Sequence, residues 1–372
     1  MMNWNDLLNS DRLRPSTRAK IVDPRNEFES DFGRIIFSPA IRRMHDKTQV
    51  FPLTTDDNIH SRLTHSLEVM AIGYSLGLRL SENEEFIQKS GLDKNQVLRQ
   101  IPIILENICL IHDIGNPPFG HFGEEVIKNY FKKLFSNCNY GLSKQERDDF
   151  ELFDGNAQGF RVLTKLQVLD DAYGLNLSIS TLAAFLKYPN SDTIDKSRLC
   201  TKKRGVYQTE KNYLMTIATK CGMFIENGLI ARHPLSFLME AADSICYLVM
   251  DIEDGFNKNW YDYNDIEIFF SNNETLKSIL EKGKTEVKMN NEISKMVKFR
   301  INTISYLVSL TLKNFVKNYD LIMNGKYNEE LINDDENNIA KDLFSFCKKN
   351  IFPKKEILKY SPSLDNFTSK IS

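Results

Sequence analysis

The sequence of 372 residues lacks long apolar runs, paired cysteines and an excess of charge of either sign. Without an apolar stretch of about 18 residues, neither a membrane span nor a signal peptide is predicted. The six cysteines form no Cys-x-x-Cys pair, which argues against a zinc knuckle or a disulfide framework and favours a reducing cytoplasm. The net charge of −2 excludes the broadly basic surface of many nucleic-acid binders, so a polyanion must meet local positive charge.

Apolar residues are plentiful, at 41% of the chain, and they recur at helical rather than alternating spacing. This pattern predicts an all-α protein with a sizeable core and only minor, short β-hairpin excursions. Residues 136–150 and 188–212 are rich in Asn, Ser, Asp and Lys, and are expected to form those loops or hairpin-like excursions. Residues 1–255 are expected to form a catalytic core with an N-terminal arm, and residues 256–372 a helical extension packed on it.

Three buried helices are predicted in the first 255 residues. In residues 61–80 the apolar stripe is expected to comprise Leu63, Leu67, Met70, Ala71, Tyr74 and Leu78. Residues 101–114 are almost continuously apolar, and the Gly-Asn-Pro-Pro segment that follows must end this helix. Pro234 suits the first turn of a third helix that runs toward Gly255.

Charged residues interrupt each of these apolar helices. His112 and Asp113 end the second helix, where a buried carboxylate is costly unless it is paired or metal-bound. Taken alone, this dipeptide is more often structural. His65 on the first helix and Asp243 on the third add a second imidazole and a second carboxylate, and together the four side chains fit one divalent metal ion.

The order His65, His112-Asp113, Asp243 resembles the HD phosphohydrolase superfamily. Longer segments, including HDIGNPPFGH at residues 112–121, are similar to the bacterial deoxyguanosine triphosphate triphosphohydrolases; the others are residues 38–43, 47–53, 62–69, 155–160 and 240–243. The resemblance covers about residues 25–255. It implies the helical HD-domain fold and hydrolysis of a deoxynucleoside triphosphate, with dGTP favoured, to the deoxynucleoside and inorganic triphosphate.

The resemblance also implies residue roles. His65, His112, Asp113 and Asp243 would bind one divalent metal ion, and ligand spacing does not choose among Mn, Mg, Fe, Co, Ni and Zn. His121 and Glu124, three residues apart at the start of the next helix, would form a catalytic dyad. Without the resemblance, His121 could equally stabilise the turn formed by the two prolines.

Substrate contacts are expected from several segments. Arg62 lies one turn before His65 and can bind phosphate oxygens, as can Lys187, while the cluster at residues 202–204 is at least as consistent with a solvated loop. By resemblance, the remaining substrate contacts are Gln49 to the sugar or base, Asn156 near the metal or phosphate, Tyr247 against the ribose 2′ position and Asp251 to the 3′-hydroxyl.

Two histidines and the C-terminal region depart from the family pattern. His45 and His60 replace other polar or basic residues and are assigned no metal role. A Tyr-x-x-Gly-Met-Thr-Asp-like segment is missing, so a truncated or divergent end is expected. Relatives form homo-oligomers and some respond to a nucleic acid or a second dNTP, so a homo-oligomer and single-stranded nucleic acid are expected partners. The alternatives are hydrolysis of another nucleotide phosphate ester, or a nucleotide- or single-stranded-DNA-sensing protein with a vestigial site.

Overall fold

Helices form almost all of the regular structure. The structure is a computed structural model that describes residues 1–14, 23–49, 60–138, 140–167, 172–289 and 291–353. The α-helices in these ranges are α1 Trp4–Leu7, α2 Glu27–Ile36, α3 Pro39–Arg43, α4 Arg62–Ser81, α5 Glu84–Ser90, α6 Lys94–Ile111, α7 Gly120–Asn137, α8 Lys144–Glu151, α9 Gly155–Arg161, α10 Ile179–Phe185, α11 Lys211–Lys220, α12 Pro234–Asn257, α13 Tyr263–Phe270, α14 Glu274–Glu286, α15 Glu292–Lys317, α16 Tyr319–Met323 and α17 Ile339–Asn350. Short 3₁₀ segments lie at Met44–Asp46, Gln208–Glu210 and Glu226–Gly228, and a π-helical turn at Val162–Leu166.

The all-α prediction is confirmed, but the hairpin-like excursions are not found. The described residues contain three isolated β-bridges and no strand. In the segment 136–150, Ser143 begins α8 by accepting a hydrogen bond from the backbone of Glu146, whose carboxylate accepts one in return from the backbone of Ser143. This capping box stabilises a helix where loop-forming residue types predicted none. The segment 188–212 is a series of turns with one 3₁₀ segment.

Helices α4 and α6 pack closely because two glycines of α4 face α6. A Cβ atom on Gly73 would lie 2.4 Å from Cys109 Sγ, and one on Gly77 would lie 2.6 Å from the Pro102 Cα. The sequence therefore predicted the wrong buried face of α4. Leu67 and Tyr74 are exposed, and the buried apolar side chains are those of Val69, Leu76 and Leu80. Small residues mark a close helix contact that a search for large apolar side chains overlooks.

Helix α12 is buried along almost its whole length. It begins at Pro234 as predicted, and packs against α4, α6, α15 and α17. The expected domain boundary at residue 255 falls inside its last turn, so the helices beyond it pack on the same buried helix. The division into core and extension stays a prediction. No helix within the described ranges has the length and apolarity needed to cross a membrane.

Candidate active site

The predicted metal ligands come together from three chain segments. His65 lies in the first turns of α4, His112 caps the C-terminus of α6 and precedes Asp113, and Asp243 projects from α12. Ligand atoms of His65, His112 and Asp113 all lie within 4.8 Å of one another. Asp243 Oδ1 is 3.2 Å from His65 Nε2 and 3.4 Å from His112 Nε2. Two imidazoles and two carboxylates thus converge on one small volume.

The ring of His112 is oriented as a metal ligand requires. Its Nδ1 lies 2.6 Å from the carbonyl oxygen of Cys109, which places the proton on Nδ1 and leaves the Nε2 lone pair free. His112 Nε2 is buried and has no hydrogen-bond partner. A buried nitrogen with a free lone pair facing two carboxylates is explained by a divalent cation, so the residues fit such an ion.

Both carboxylates are held in the charged form by neighbouring cations. Burial alone would raise the pKa of Asp113, but the Arg62 guanidinium, in direct contact with it, lowers that pKa to about 2. Burial also acts against Asp243, but Lys187, whose Nζ lies 2.9 Å from Asp243 Oδ2, together with His112 and His65 holds the pKa well below the ordinary value. Arg62 and Lys187 therefore lie within reach of any phosphate bound at this centre.

Two residues of the cluster were not predicted. Asn116 Nδ2 donates a hydrogen bond of 2.6 Å to Asp113 Oδ1, and Lys47 Nζ donates one of 2.7 Å to the carbonyl oxygen of Asn116. Burial and the nearby Arg62 lower the pKa of Lys47. The spacing of three residues between Asp113 and Asn116 could have indicated the first contact, whereas Lys47 is remote in sequence and gave no such signal.

His121 and Glu124 form the expected pair at the start of α7. His121 Nδ1 is 3.1 Å from Glu124 Oε2, and Glu124 Oε1 accepts a 2.8 Å hydrogen bond from the backbone of Gly155. The imidazole is 90% exposed, whereas the carboxylate is 6% exposed. The hydrogen bond to Glu124 raises the pKa of His121. Burial acts to raise the pKa of Glu124, but the hydrogen bonds from His121 and Gly155 together with nearby positive charge lower it. The exposed imidazole of His121 is thus hydrogen-bonded to a buried carboxylate, that of Glu124, whose position is fixed by the backbone of Gly155.

A left-handed backbone turn places this dyad beside Arg62. Phe119, which caps α7, and Gly120, its first residue, have φ angles of 65° and 53°. A Cβ atom on Gly120 would lie 2.6 Å from Arg62 Nη2, so the backbone passes directly over the guanidinium. Glycine is required here both for the positive φ angle and for the close approach. His121 follows at once and therefore lies next to the phosphate-binding candidate.

Tyr247 lies one turn beyond Asp243 on α12, as its spacing predicted. It is half-buried and lines a cavity of about 380 Å³ together with Glu330, Asn333 and Phe344. Burial, followed by the nearby Glu330, raises the pKa of Tyr247, so its phenol is neutral. Tyr247 therefore contributes to the wall of this cavity, one helical turn along α12 from Asp243.

Asp251, two turns beyond Asp243, differs from Asp243 in its charge state. It is buried, and burial together with the neighbouring Asp254 raises its pKa to about 8. The carboxyl group is therefore mostly protonated at pH 7, and can donate a hydrogen bond as well as accept one. Its contact with a sugar hydroxyl stays a prediction, now with a neutral acid as the partner.

The other predicted substrate residues are placed less centrally. Gln49 Oε1 is buried without a hydrogen-bond partner, at the end of a described range. Asn156 Nδ2 donates to Asp154 Oδ1 at 2.8 Å within the N-terminal turn of α9. In the cluster 202–204, Arg204 is buried in ion pairs with Asp148 and Asp149 of α8 and is structural. Lys203 instead pairs with Asp154 and is among the charges that act on the dyad.

Neither His45 nor His60 lies among the predicted metal ligands. His45 is exposed beside Asp46. His60 lies between two carboxylates, with Nδ1 2.9 Å from Asp254 Oδ2 and Nε2 3.1 Å from Glu68 Oε1. Burial alone would lower the pKa of His60, but these two carboxylates raise it to about 10. His60 therefore forms an ion-pair bridge between α4 and α12.

Comparison with known proteins places this geometry in a family context. A family model described as the HD domain matches residues 62–150. The chain is 40% identical over 352 residues to a deoxyguanosinetriphosphate triphosphohydrolase-like protein of Listeria monocytogenes, a match covering 89% of this chain and 74% of that protein.

Two other relatives have similar descriptions. A deoxyguanosinetriphosphate triphosphohydrolase-like protein of Pseudomonas aeruginosa is 43% identical over 269 residues, covering 72% of this chain and 60% of the relative. A deoxyguanosinetriphosphate triphosphohydrolase of Yersinia enterocolitica is 32% identical over 366 residues, covering 86% of this chain and 70% of the relative.

Proposed function

The chain belongs to the deoxyguanosinetriphosphate triphosphohydrolase family of HD-domain enzymes, and on that premise we propose that it cleaves a deoxynucleoside triphosphate at the α-phosphorus. The products would be the deoxynucleoside and inorganic triphosphate, with dGTP the favoured substrate. The observation that carries the proposal is the buried, unpartnered Nε2 of His112 among His65, Asp113 and Asp243.

A divalent ion held by these four residues would polarise a phosphate oxygen and lower the pKa of a coordinated water. The cluster supports this role because both carboxylates are ionised and because His112 presents a free lone pair. The metal dependence and the ligand set remain proposals.

The residues around the cluster would bind the phosphate groups and donate a proton to the leaving group. Arg62 and Lys187 supply two positive charges that can bind phosphate oxygens, and both are held in place by the carboxylates they pair with. His121, whose protonated form Glu124 favours by raising its pKa, would donate a proton to the 5′ oxygen as the P–O bond breaks. Glu124, fixed by the backbone of Gly155, orients the ring through Nδ1 and leaves Nε2 facing outward.

The direct test is product analysis. The full chain is incubated with Mn²⁺ and each dNTP, GTP or a nucleoside monophosphate, and the products are separated by anion exchange with mass detection. We expect the deoxynucleoside and intact triphosphate, fastest from dGTP. Orthophosphate from the monophosphate would instead support another HD phosphoesterase, and binding without turnover would support a sensor.

Two variants control this assay. Asp113→Ala removes one proposed ligand and should abolish both bound metal, measured by mass spectrometry of the element, and triphosphate release. Asp46→Ala, which removes a carboxylate that is 91% exposed, should change neither. Normal turnover by Asp113→Ala would defeat the proposed metal site.

A further inference from the structure

A second cavity lies among the N-terminal residues Met1 and Met2, the turns before α12 and the segment after α16. Its volume is about 530 Å³, within the range of small-molecule sites. None of the residues assigned above to metal, catalysis or substrate lines it. The residues that do include three cations and three aromatic side chains: Arg198, Arg232, Lys326, Phe224, Phe237 and Tyr327.

Arg232 is the feature that distinguishes this cavity from a surface depression. Its side chain is only 2% exposed, and Nη1 donates a 2.8 Å hydrogen bond to Glu240 Oε2. Its Nε and Nη2 atoms are buried without a hydrogen-bond partner. Arg232 lines the cavity, so an acceptor bound there would supply a partner for donors that the protein alone leaves unsatisfied.

A second buried polar atom lies on the same cavity. Tyr327 Oη also has no hydrogen-bond partner. The Tyr327 ring packs edge-on against Phe237 at a centroid distance of 5.5 Å, and the Arg232 guanidinium lies 4.4 Å from the centre of the Phe237 ring. Donors and aromatic surface therefore alternate along one wall, which suits a ligand that is anionic at one end and planar or apolar at the other.

The charges at the mouth of the cavity have the same sign as Arg232. Arg198 and Lys326 are exposed, and Glu226 is the one acidic side chain among the lining residues. Because Arg232 is paired with Glu240, the local positive excess comes from the exposed Arg198 and Lys326 against Glu226, in a protein whose net charge is −2. A local excess of this kind favours phosphate over a neutral or cationic ligand.

Hydrogen bonds between remote segments hold the walls in place. Asn328 accepts from the backbone of Leu199 at 2.5 Å and donates to the carbonyl oxygen of Ser197 at 2.9 Å. The backbone of Met2 donates to that of Met323 at 2.8 Å. The cavity is therefore built by the folded chain before any ligand arrives, which reduces the entropy lost on binding.

We propose that this cavity is a binding site for a small organic phosphate, with the phosphate between Arg198, Arg232 and Lys326 and the organic part against Phe237 and Tyr327. The inference does not depend on the hydrolytic activity proposed above. It rests on the buried unpartnered donors, the excess of positive charge and the aromatic wall.

Calorimetric titration of the full chain with phenyl phosphate tests the proposal. The titration is done in EDTA, so that a divalent ion at the other site does not contribute. We expect saturable binding of phenyl phosphate, at least fivefold weaker binding of inorganic phosphate, and none of phenol. Absence of binding at millimolar phenyl phosphate, or equal binding of phenol, would overturn the proposal.

Variants locate the bound ligand. Arg198→Ala and Lys326→Ala remove exposed cations, so both should fold normally, and each should weaken phenyl phosphate binding at least tenfold. Arg232→Gln should abolish it, with the fold checked by circular dichroism. Lys187→Ala, at the metal-ligand cluster, and Lys348→Ala, an exposed lysine of α17, serve as controls and should bind as the unchanged chain does. Binding lost in Lys187→Ala but retained in Arg198→Ala would place the ligand at the other site and refute the inference.

Discussion

In the mechanism proposed above, the exposed ring of His121 acts as the acid and the buried carboxylate of Glu124 supports it. The ring must reach a substrate atom, so its exposure suits proton transfer, while the carboxylate keeps its position through the backbone of Gly155. Burial acts to raise the pKa of both Asp113 and Asp251, but Arg62 opposes this effect at Asp113 whereas Asp254 adds to it at Asp251. The groups around an ionisable residue therefore decide its charge state more than its residue type does.

Replacing His121 by alanine is expected to lower kcat by about 10²–10⁴, the usual contribution of general acid–base catalysis. Metal content should be unchanged, because the ring does not contact the ligand cluster. Steady-state kinetics with dGTP and elemental analysis measure both quantities. The exposed His45→Ala variant is the control, and a kcat within threefold of the original would remove His121 from the chemical step.

Glu124→Gln should shift the pH dependence of kcat rather than simply lower it. Glu124 raises the pKa of His121, so His121 remains a protonated acid to higher pH in the unchanged enzyme. Without the anion, the alkaline limb of the profile should move to lower pH. A purely structural role for Glu124 predicts a lower rate with an unmoved limb, which pH–rate profiles distinguish.

Tyr247→Ala should increase the hydrolysis of GTP relative to dGTP, by about tenfold in the ratio of kcat/KM, if the ring blocks a ribose 2′-hydroxyl. Tyr247 lies on the face of α12 that carries Asp243, and it lines the cavity that Glu330 and Phe344 also line. Tyr74→Ala on the exposed face of α4 is the matched control. An unchanged ratio would show that Tyr247 does not select the sugar.

At the scale of elements, glycines set how closely the segments of the site approach one another. A Cβ atom on Gly115 would lie 2.0 Å from the backbone nitrogen of Gly159 and 2.2 Å from the carbonyl oxygen of Gly155, so the loop after α6 rests directly on α9. The same segment of α9 holds Glu124. The proposed metal ligands at the end of α6 and the proposed dyad on α7 are therefore positioned relative to each other through backbone contact with α9.

Gly115→Ala is consequently expected to destabilise the protein by about 3 kcal/mol, since rigid backbone rather than a mobile side chain would have to move. Gly33→Ala provides the control: it lies inside α2, its nearest contact would be 3.7 Å away, and alanine there should stabilise by about 0.5 kcal/mol. Urea unfolding of the two variants gives both values. If Gly115→Ala were as stable as the unchanged protein, the loop after α6 would accommodate the added Cβ atom without loss of stability.

At the scale of the whole molecule, His60 connects α4, where the HD-domain match begins, to α12, where the predicted catalytic core ends. It lies just before α4 and pairs with Glu68 of α4 and Asp254 of α12. Because α12 also packs against α15 and α17, this ion-pair bridge lies where the N-terminal and C-terminal helices meet.

The protein should therefore lose stability as pH rises from about 6.5 to 10. The pKa of His60 is raised from 6.5 to about 10 in the folded state, so its contribution is complete below the lower value and is lost as pH approaches the higher one. The change should be on the order of 3 kcal/mol in the free energy of unfolding. His60→Gln should flatten this dependence while His45→Gln preserves it, as urea unfolding across the pH range would show. Identical slopes in all three proteins would exclude the bridge as the cause.

The sequence by itself determined the helical class, the beginning of α12 at Pro234, and the residue types that can bind a metal ion. These follow from periodicity, from proline and from charge placed in apolar helices, all of which are local signals. Motif order also predicted that His65, His112, Asp113 and Asp243 belong together, and the structure brings their ligand atoms close. Their roles in metal binding stay a prediction.

Tertiary structure alone decided which face of α4 is buried, which cations hold the carboxylates ionised, and which acid stays protonated. Gly73 and Gly77 turn α4 toward α6, Lys187 reaches Asp243 across 56 positions of sequence, and Asp254 raises the pKa of Asp251. These outcomes depend on distances of a few ångströms between segments remote in the chain. Coulomb energy and desolvation vary steeply over such distances, and no local pattern of residues encodes them.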